Sequence, residues 1–194
     1  MNFKAKIEEN NLNAFNVHDH LQYLPVDEIR KHQVNNNFAL CLINILGDLN
    51  IGTMVRSAVI FGATKVYIAG RRRFDKRSSV GAHNYIDIEH IDAYDLDTDQ
   101  VFYDKILEKL EKDNWETVCC ETEGIPIQDF SAQKRKKYPC FIMGSEGFGI
   151  PDQVLERADE CVTIPQFGVM RSLNVASAAS IIMYEYTRLK DKND

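Results

Sequence analysis

From Phe38 onward the sequence alternates short apolar runs with longer amphipathic stretches, and this alternation limits the folds available to the chain. The run FALCLINIL at 38–46 is apolar except for Asn44, as expected of a strand covered on both faces. Further strands are predicted at 65–69, 85–91, 115–121, 140–144 and 160–165. Helices are predicted from residue 51, over 98–113, over 151–158 and from about 173 to 190. This order predicts an α/β fold with a mostly parallel sheet flanked by helices.

The first 37 residues lack this pattern. Eight of them are asparagine, and only one short helix is predicted, near 25–33. We therefore expect an N-terminal extension at 1–37, one domain at 38–190 and a tail at 191–194. A chain of 194 residues is long enough for one domain with a sizeable core.

Composition excludes several classes of protein. No apolar run approaches the roughly 18 residues of a membrane span, and residues 1–15 resemble neither a signal peptide nor a transit peptide. The five cysteines are odd in number and form no C-x-x-C pair, which predicts free thiols in a reducing cytoplasm. The five histidines have no zinc-binding spacing, so we expect no metal. A net charge of −6 argues against a protein that coats nucleic acid indiscriminately.

Three segments follow predicted strands, and their loops lie where ligands bind in such sheets. They are GDLNIGTMVR at 47–56, GSEGFGIP at 144–151 and IPQFGVMRSLNVASAAS at 164–180. Each also has a purely structural interpretation. Asn50 suits a helix N-cap, the glycine-rich segment suits a tight turn with Glu146 exposed, and Ser172 or Asn174 suits a cap of the last helix.

The glycine-rich segment at 144–151 is neither G-x-G-x-x-G nor a Walker loop. Its glycines permit unusual backbone angles and close approach of a ligand. Glu146 would repel a pyrophosphate. The segment therefore favours a ligand that is not strongly anionic and that is recognised through backbone groups.

Taken in order, the three segments resemble the motifs of the SpoU family, the 2′-O-ribose RNA methyltransferases of the α/β-knot (SPOUT) superfamily. N-x-G-x-x-x-R appears as Asn50–Arg56, and M-G-S-E-G-x-G appears as Met143–Gly149 with I-P at Ile164–Pro165. S-L-N-V-x-x-A appears as Ser172–Ala178. The resemblance covers about residues 38–190. One departure is Ala176, where the family often has serine.

The resemblance implies a C-terminal deep trefoil knot and bound S-adenosylmethionine. It implies that Arg56 acts on the ribose 2′-hydroxyl, either as a base assisted by the RNA phosphate or by positioning and polarising the ribose. It assigns the orienting hydrogen bonds to Asn50, Glu146, Ser172 and Asn174. The residues expected to bind the cofactor are Met143, Gly144, Gly149, Ile164 and Leu173. A Gly144→Val substitution should then fill the approach to the adenine.

RNA requires a positive surface, and two basic clusters offer one: RRRFDKR at 71–77 and KRKK at 134–137. In the first cluster we expect phosphate contacts from Arg71, Arg72, Arg73, Lys76 and Arg77, whereas ordinary solvated loop charge is the alternative. Phe74 is a candidate for stacking on a base. The absence of a separate RNA-binding domain favours tRNA, with rRNA as the other possibility.

The family usually works as a homodimer. A second, flat face of the last helix, formed by Ala176, Ser180 and Met183, suits a partner subunit. Two other functions stay open from the sequence. One is a non-catalytic RNA-binding relative on the same scaffold, and the other is an ordinary dinucleotide enzyme, which the missing G-x-G-x-x-G disfavours.

Overall fold

In a computed structural model, which describes residues 16–70, 73–92, 98–130 and 136–191, six strands form one sheet. The strands are β1 Ala39–Ile43, β2 Lys65–Ala69, β3 Asp87–Ile91, β4 Trp115–Pro126, β5 Tyr138–Met143 and β6 Glu160–Thr163. Their order is β3-β2-β1-β5-β4-β6, and every neighbouring pair is parallel. The predicted α/β fold is confirmed. The knot stays an expectation from the resemblance.

Five α-helices accompany the sheet in the described part of the chain. They are α1 Val26–Lys31, α2 Asp48–Ile60, α3 Asp99–Lys112, α4 Asp152–Leu155 and α5 Val175–Asp191. Thr98 caps α3, its hydroxyl oxygen accepting a hydrogen bond from the amide of Val101 at 3.3 Å. None of the described helices is both long and apolar enough to cross a membrane.

Strand β1 is buried on both faces, which explains its continuous apolar run. Leu40 and Leu42 belong to a cluster that includes Met54 of α2 and Met183 of α5. Cys41, the residue between them, belongs to a second cluster with side chains of α3 and α4. The alternation of side chains along β1 thus supplies both layers of the core.

Two boundaries of strands and helices differ from those predicted from the sequence, and single residues explain both differences. The first strand ends at Ile43 because Asn44 has a positive φ of 53°, and its amide bonds to the carbonyl of Ala69 at 2.9 Å. Helix α2 begins at Asp48 rather than at residue 51, with Gly47 at the N-cap position. Asn50 therefore lies inside the first turn of α2, and its interpretation as the N-cap is wrong.

The second face of α5 packs within the chain rather than remaining free for a partner. Ala176 and Met183 are buried, and the hydroxyls of Ser180 and Ser57 on α2 lie 2.9 Å apart. The small residues therefore bring α2 and α5 together. The exposed positions of α5 are instead Ser177, Ile181 and Tyr184.

The described part of the N-terminal extension lies against the domain. Arg30 on α1 donates from Nε to the carbonyl of Asn84 at 2.8 Å. Asn36 also joins the extension to the domain, because its backbone amide donates a hydrogen bond to the carbonyl of Gly62 at 2.8 Å. These contacts hold residues 16–37 beside the C-terminal end of α2.

Candidate functional site

A cavity of about 520 Å³, which we call the first cavity, opens at the carboxyl ends of β5 and β6. Its walls come from the glycine-rich loop after β5, from the loop before α5 and from the middle of β4. The volume lies within the range of small-ligand sites. Two of the three segments singled out in the sequence thus line one cavity, at the edge of the sheet where ligands bind.

The glycine-rich loop is a closed turn. Ser145 and Gly149 exchange backbone hydrogen bonds of 3.1 and 2.9 Å, and Gly149 has a φ of +67°. A Cβ at position 144 would lie 2.2 Å from the carbonyl carbon of Gly149. A valine at position 144 would therefore push the loop apart. The expected damage to the cofactor site would come from this distortion and not from a side chain that fills the approach to the adenine.

Three side chains from distant segments meet beside this loop. Asn50 donates from Nδ2 to Glu146 Oε1, and its Oδ1 accepts a hydrogen bond from Asn174 Nδ2 at 3.1 Å. Asn174 also caps α5, because its Oδ1 accepts from the amide of Ala176 at 3.0 Å. The oxygen of the Asn174 amide therefore caps α5 as predicted, and its nitrogen bonds to Asn50; the role of Asn174 in the site stays a prediction.

All five residues predicted to bind a cofactor line the first cavity: Met143, Gly144, Gly149, Ile164 and Leu173. Glu146, Ser172 and Asn174 line it as well. Met143 is buried, whereas Leu173 is 43% exposed and offers its side chain to a ligand. Apolar walls with backbone groups between them suit a flat, uncharged ring.

Sequence reasoning missed Glu121 and Cys120, which line the cavity from the middle of β4, where its pairing with β6 is irregular. One Glu121 oxygen accepts a hydrogen bond from the amide of Ile150 at 2.8 Å and so supports the glycine-rich loop. The available signal was the polar stretch ETEG directly after the apolar residues VCC at 118–120. Burial raises the pKa of the Cys120 thiol well above its ordinary value, so Cys120 presents a neutral wall.

The charged side chains that line the first cavity are all acidic. Glu121 and Glu146 contribute carboxylates, while its described lining residues include no lysine, arginine or histidine. Such a lining repels phosphate and favours a ligand with positive charge. This agrees with the expectation that the ligand is not strongly anionic.

Arg56 stands apart from the other residues predicted to be catalytic. It lies six positions after Asn50, about 9 Å further along α2 and about 240° around it. Arg56 is exposed and lines a different cavity, together with residues of the N-terminal extension. The structure brings Asn50, Glu146, Ser172 and Asn174 together at the first cavity and places Arg56 outside this group.

The first basic cluster follows β2 at the same edge of the sheet. Arg73 and Arg77 are exposed; Arg73 lies 3.7 Å from Asp92, and Arg77 lies 2.5 Å from Asp75. Hydrogen bonds from Arg77 lower the pKa of Asp75. Arg71, Arg72 and positions 134 and 135 of the second cluster lie outside the described residues.

Phe74 is buried and stacks on the ring of His90, with ring centroids 6.5 Å apart. The expectation that Phe74 stacks on an RNA base is therefore wrong. Its apolar ring instead anchors the basic cluster to β3.

Comparison with known proteins identifies the class of this fold. The chain is 24% identical to the solved SpoU methyltransferase AviRb from Streptomyces viridochromogenes, which is in complex with the cofactor AdoMet. The TM-score is 0.67, and the match covers 87% of this chain and 67% of that one. The fold is therefore that of the SpoU methyltransferases.

Two curated relatives extend the comparison. An uncharacterized tRNA/rRNA methyltransferase of Archaeoglobus fulgidus is 28% identical over 167 residues, which is 84% of this chain and 69% of that protein. The tRNA (guanosine(18)-2'-O)-methyltransferase TARBP1 of Mus musculus is 24% identical over 143 residues. That match covers 72% of this chain and 8% of the mouse protein.

The model of the SpoU rRNA Methylase family matches residues 37–184. The chain belongs to this family of RNA methyltransferases. The matched range contains all three motif segments and leaves out residues 1–36 of the N-terminal extension.

Proposed function

We propose that this protein transfers a methyl group from S-adenosylmethionine to a ribose 2′-hydroxyl of RNA, with tRNA favoured over rRNA. The observation that carries the proposal is the first cavity, where the family motifs form an acidic, partly apolar site. The name of the mouse relative, which specifies 2′-O-methylation of tRNA, supports the choice of atom and of RNA. The AviRb complex supports the choice of cofactor.

The lining of the first cavity fits S-adenosylmethionine. Met143, Ile164 and Leu173 supply apolar contact for the adenine. The carboxylates of Glu121 and Glu146 suit the positive sulfonium and ammonium groups. When bound, the cofactor supplies a methyl group whose transfer to a hydroxyl oxygen breaks a C–S bond, forms a C–O bond and releases one proton.

The roles of the chain's own residues follow from their contacts. Asn50 links Glu146 to Asn174 and fixes the mouth of the cavity, so these side chains orient the ribose beside it. Ser172 offers a hydroxyl at the same mouth. The guanidinium of Arg56 is too weak a base to take the proton unaided. We assign it the binding of the RNA phosphate and the polarisation of the 2′-hydroxyl, so that alignment supplies much of the rate.

Arg56 can reach a ribose at the mouth of the first cavity if that cavity belongs to a second copy of the chain. The exposed positions of α2 are Leu49, Thr53, Arg56 and Ile60, which form one stripe along the helix. The exposed fractions of Leu49 and Ile60 are 74% and 67%, which is high for aliphatic side chains flanking an arginine. We propose a homodimer in which the N-terminal end of this stripe, at Leu49 and Thr53, is covered and Arg56 of one copy approaches the first cavity of the other. Sedimentation equilibrium should give twice the mass of the chain, whereas a monomeric mass would contradict this arrangement.

Phosphate contacts are proposed for the first basic cluster. Arg73, Lys76 and Arg77 are exposed at the carboxyl edge of the sheet, and Arg71 and Arg72 precede them in the sequence. We retain 38–190 as the methyltransferase domain, preceded by the extension and followed by a short tail. The free thiols of the described cysteines fit the reducing cytoplasm.

The separation of Arg56 from the first cavity favours a second candidate, a non-catalytic RNA-binding relative. Mapping of 2′-O-methylated nucleotides in RNA from cells with and without the gene distinguishes the two. The proposed function predicts that at least one 2′-O-methyl site disappears from tRNA or rRNA when the gene is deleted. An unchanged map would contradict the proposed function and leave the non-catalytic candidate.

A further inference from the structure

The N-terminal extension and the domain enclose a second cavity of about 350 Å³, which we call the arm cavity. Side chains of residues 16–36 form one wall, and the C-terminal half of α2 with the turn at 80–85 forms the other. Asn16 donates from Nδ2 to the carbonyl of Val80 at 3.0 Å, and Arg30 donates to the carbonyl of Asn84 at 2.8 Å. Both walls are therefore held by hydrogen bonds that join the extension to the domain.

The chemistry of the arm cavity is the opposite of that of the first cavity. Arg56 lines it, and its described lining residues include no aspartate or glutamate. Leu21, Val59 and Ile60 provide apolar walls. His32 provides a further polar group and contacts the ring of His20, with centroids 6.5 Å apart. A cationic, partly apolar cavity suits an anionic ligand with a flat ring, and a nucleotide is such a ligand.

We propose that the arm cavity receives the base of the RNA nucleotide that Arg56 engages, and that the extension thereby sets nucleotide preference. The inference rests on the proposed function. A base is attached to the ribose carbon next to the one that bears the 2′-hydroxyl. A ribose held at Arg56 must therefore place its base within a few ångströms of that arginine, and the arm cavity is the enclosed space on that side.

Recognition of a base also fits the other side chains of the arm cavity. Gln33 and Tyr85 offer amide and hydroxyl groups, which recognise the edge of a base through hydrogen bonds. His18 and His32 offer imidazole rings, on which bases stack. A base that enters the cavity leaves the stack of its RNA, as bases do when enzymes act on the nucleotide that bears them.

Val34 provides a test that leaves the core untouched. Val34 lines the arm cavity, yet the residue is 70% exposed. Val34→Trp places a large ring in the cavity. Val26→Trp is the matched control, because Val26 lies on the same extension, is 40% exposed and belongs to α1 outside the described lining. Circular dichroism and the midpoint of thermal unfolding establish that both variants fold.

The probe is total RNA from cells in which the gene is deleted, with tritiated S-adenosylmethionine as methyl donor. Val34→Trp should raise the KM for this RNA about tenfold, the order of loss that removal of one base-stacking contact produces. It should leave the affinity for S-adenosylmethionine, measured by calorimetry, unchanged. Val26→Trp should match the wild type in both quantities. Equal KM values for wild type and Val34→Trp would overturn the inference.

A second pair of variants tests recognition of the base edge. Gln33→Ala and Tyr85→Phe should broaden the set of nucleotides that become methylated, while an unchanged set for both variants counts against the inference. Filter binding of the same RNA without the cofactor separates the two claims. If the wild type binds RNA but transfers no methyl group, the proposed function fails. The arm cavity then stands if only Val34→Trp loses affinity, and falls if it binds as the wild type does.

Discussion

Glu121→Gln removes one of the two carboxylates of the first cavity and keeps an oxygen that accepts a hydrogen bond. The amide of Ile150 bonds to Glu121 at 2.8 Å, and the side-chain oxygen of glutamine can replace that acceptor. The loop that carries Gly149 should therefore keep its shape. The perturbation is then mainly electrostatic.

The size of the effect follows from the charge of the ligand. S-adenosylmethionine carries one positive charge more than S-adenosylhomocysteine, the product left after methyl transfer. Two unit charges about 6 Å apart interact by about 0.7 kcal/mol in water and about 2.8 kcal/mol at an effective dielectric constant of 20. For the half-buried Glu121 we expect about 1–2 kcal/mol, which corresponds to roughly tenfold weaker binding of S-adenosylmethionine. The affinity for S-adenosylhomocysteine should change much less.

Titration calorimetry of both ligands measures this difference. Glu123→Gln is the control, because it removes the same charge from an exposed position of β4 outside the described lining of the cavity. It should leave the ratio of the two affinities unchanged. If Glu121→Gln weakens both ligands equally, or neither, the account of the cavity as a site selective for a cation is refuted.

Three further predictions concern the loop, the cap and the sheet. Asn174→Asp keeps an oxygen that caps α5 but loses the amide group that bonds to Asn50, so methyl transfer should fall about tenfold or more while thermal stability changes little. Gly144→Ala places a Cβ 2.2 Å from Gly149, so calorimetry should detect loss of S-adenosylmethionine binding and thermal unfolding should begin earlier. Burial alone would raise the pKa values of Glu89 and Asp113, but hydrogen bonds from neighbouring lysine and tyrosine side chains outweigh it and lower both. Denaturant titration should therefore show full stability above about pH 4–5, the ordinary range of these carboxyls, and a decline as the pH falls through the lowered values.

Much of the fold can be predicted from the apolar runs of the central strands β1, β2 and β5, which are buried on both faces. The run around Cys41 predicts β1 directly, since every position of that strand contacts one of the two core clusters. The boundaries were harder to predict because single residues set them. The positive φ of Asn44 ends β1, and α2 begins at Asp48, three residues before Ile51, where its apolar pattern predicted the start.

The part of the candidate site that could be predicted is the glycine-rich loop, because its shape depends on residues that are neighbours in the sequence. Ser145 to Gly149 form one hydrogen-bonded turn directly after β5, so the spacing of the glycines predicts the loop. Glu121 was missed because a single carboxylate within a strand has no distinctive spacing, and only the sheet order brings it to the glycine-rich loop. The position of Arg56 relative to the cavity and the packing of the extension likewise depend on contacts between distant segments.

The most direct test of the central claim is the identity of the methylated atom. Purified protein is incubated with labelled S-adenosylmethionine and total RNA from cells that lack the gene, and the RNA is digested to nucleosides for mass spectrometry. The account predicts that the label appears in nucleosides methylated on the ribose 2′-oxygen and that Arg56→Ala abolishes it. Label found on a base, or undiminished label with Arg56→Ala, would contradict the account.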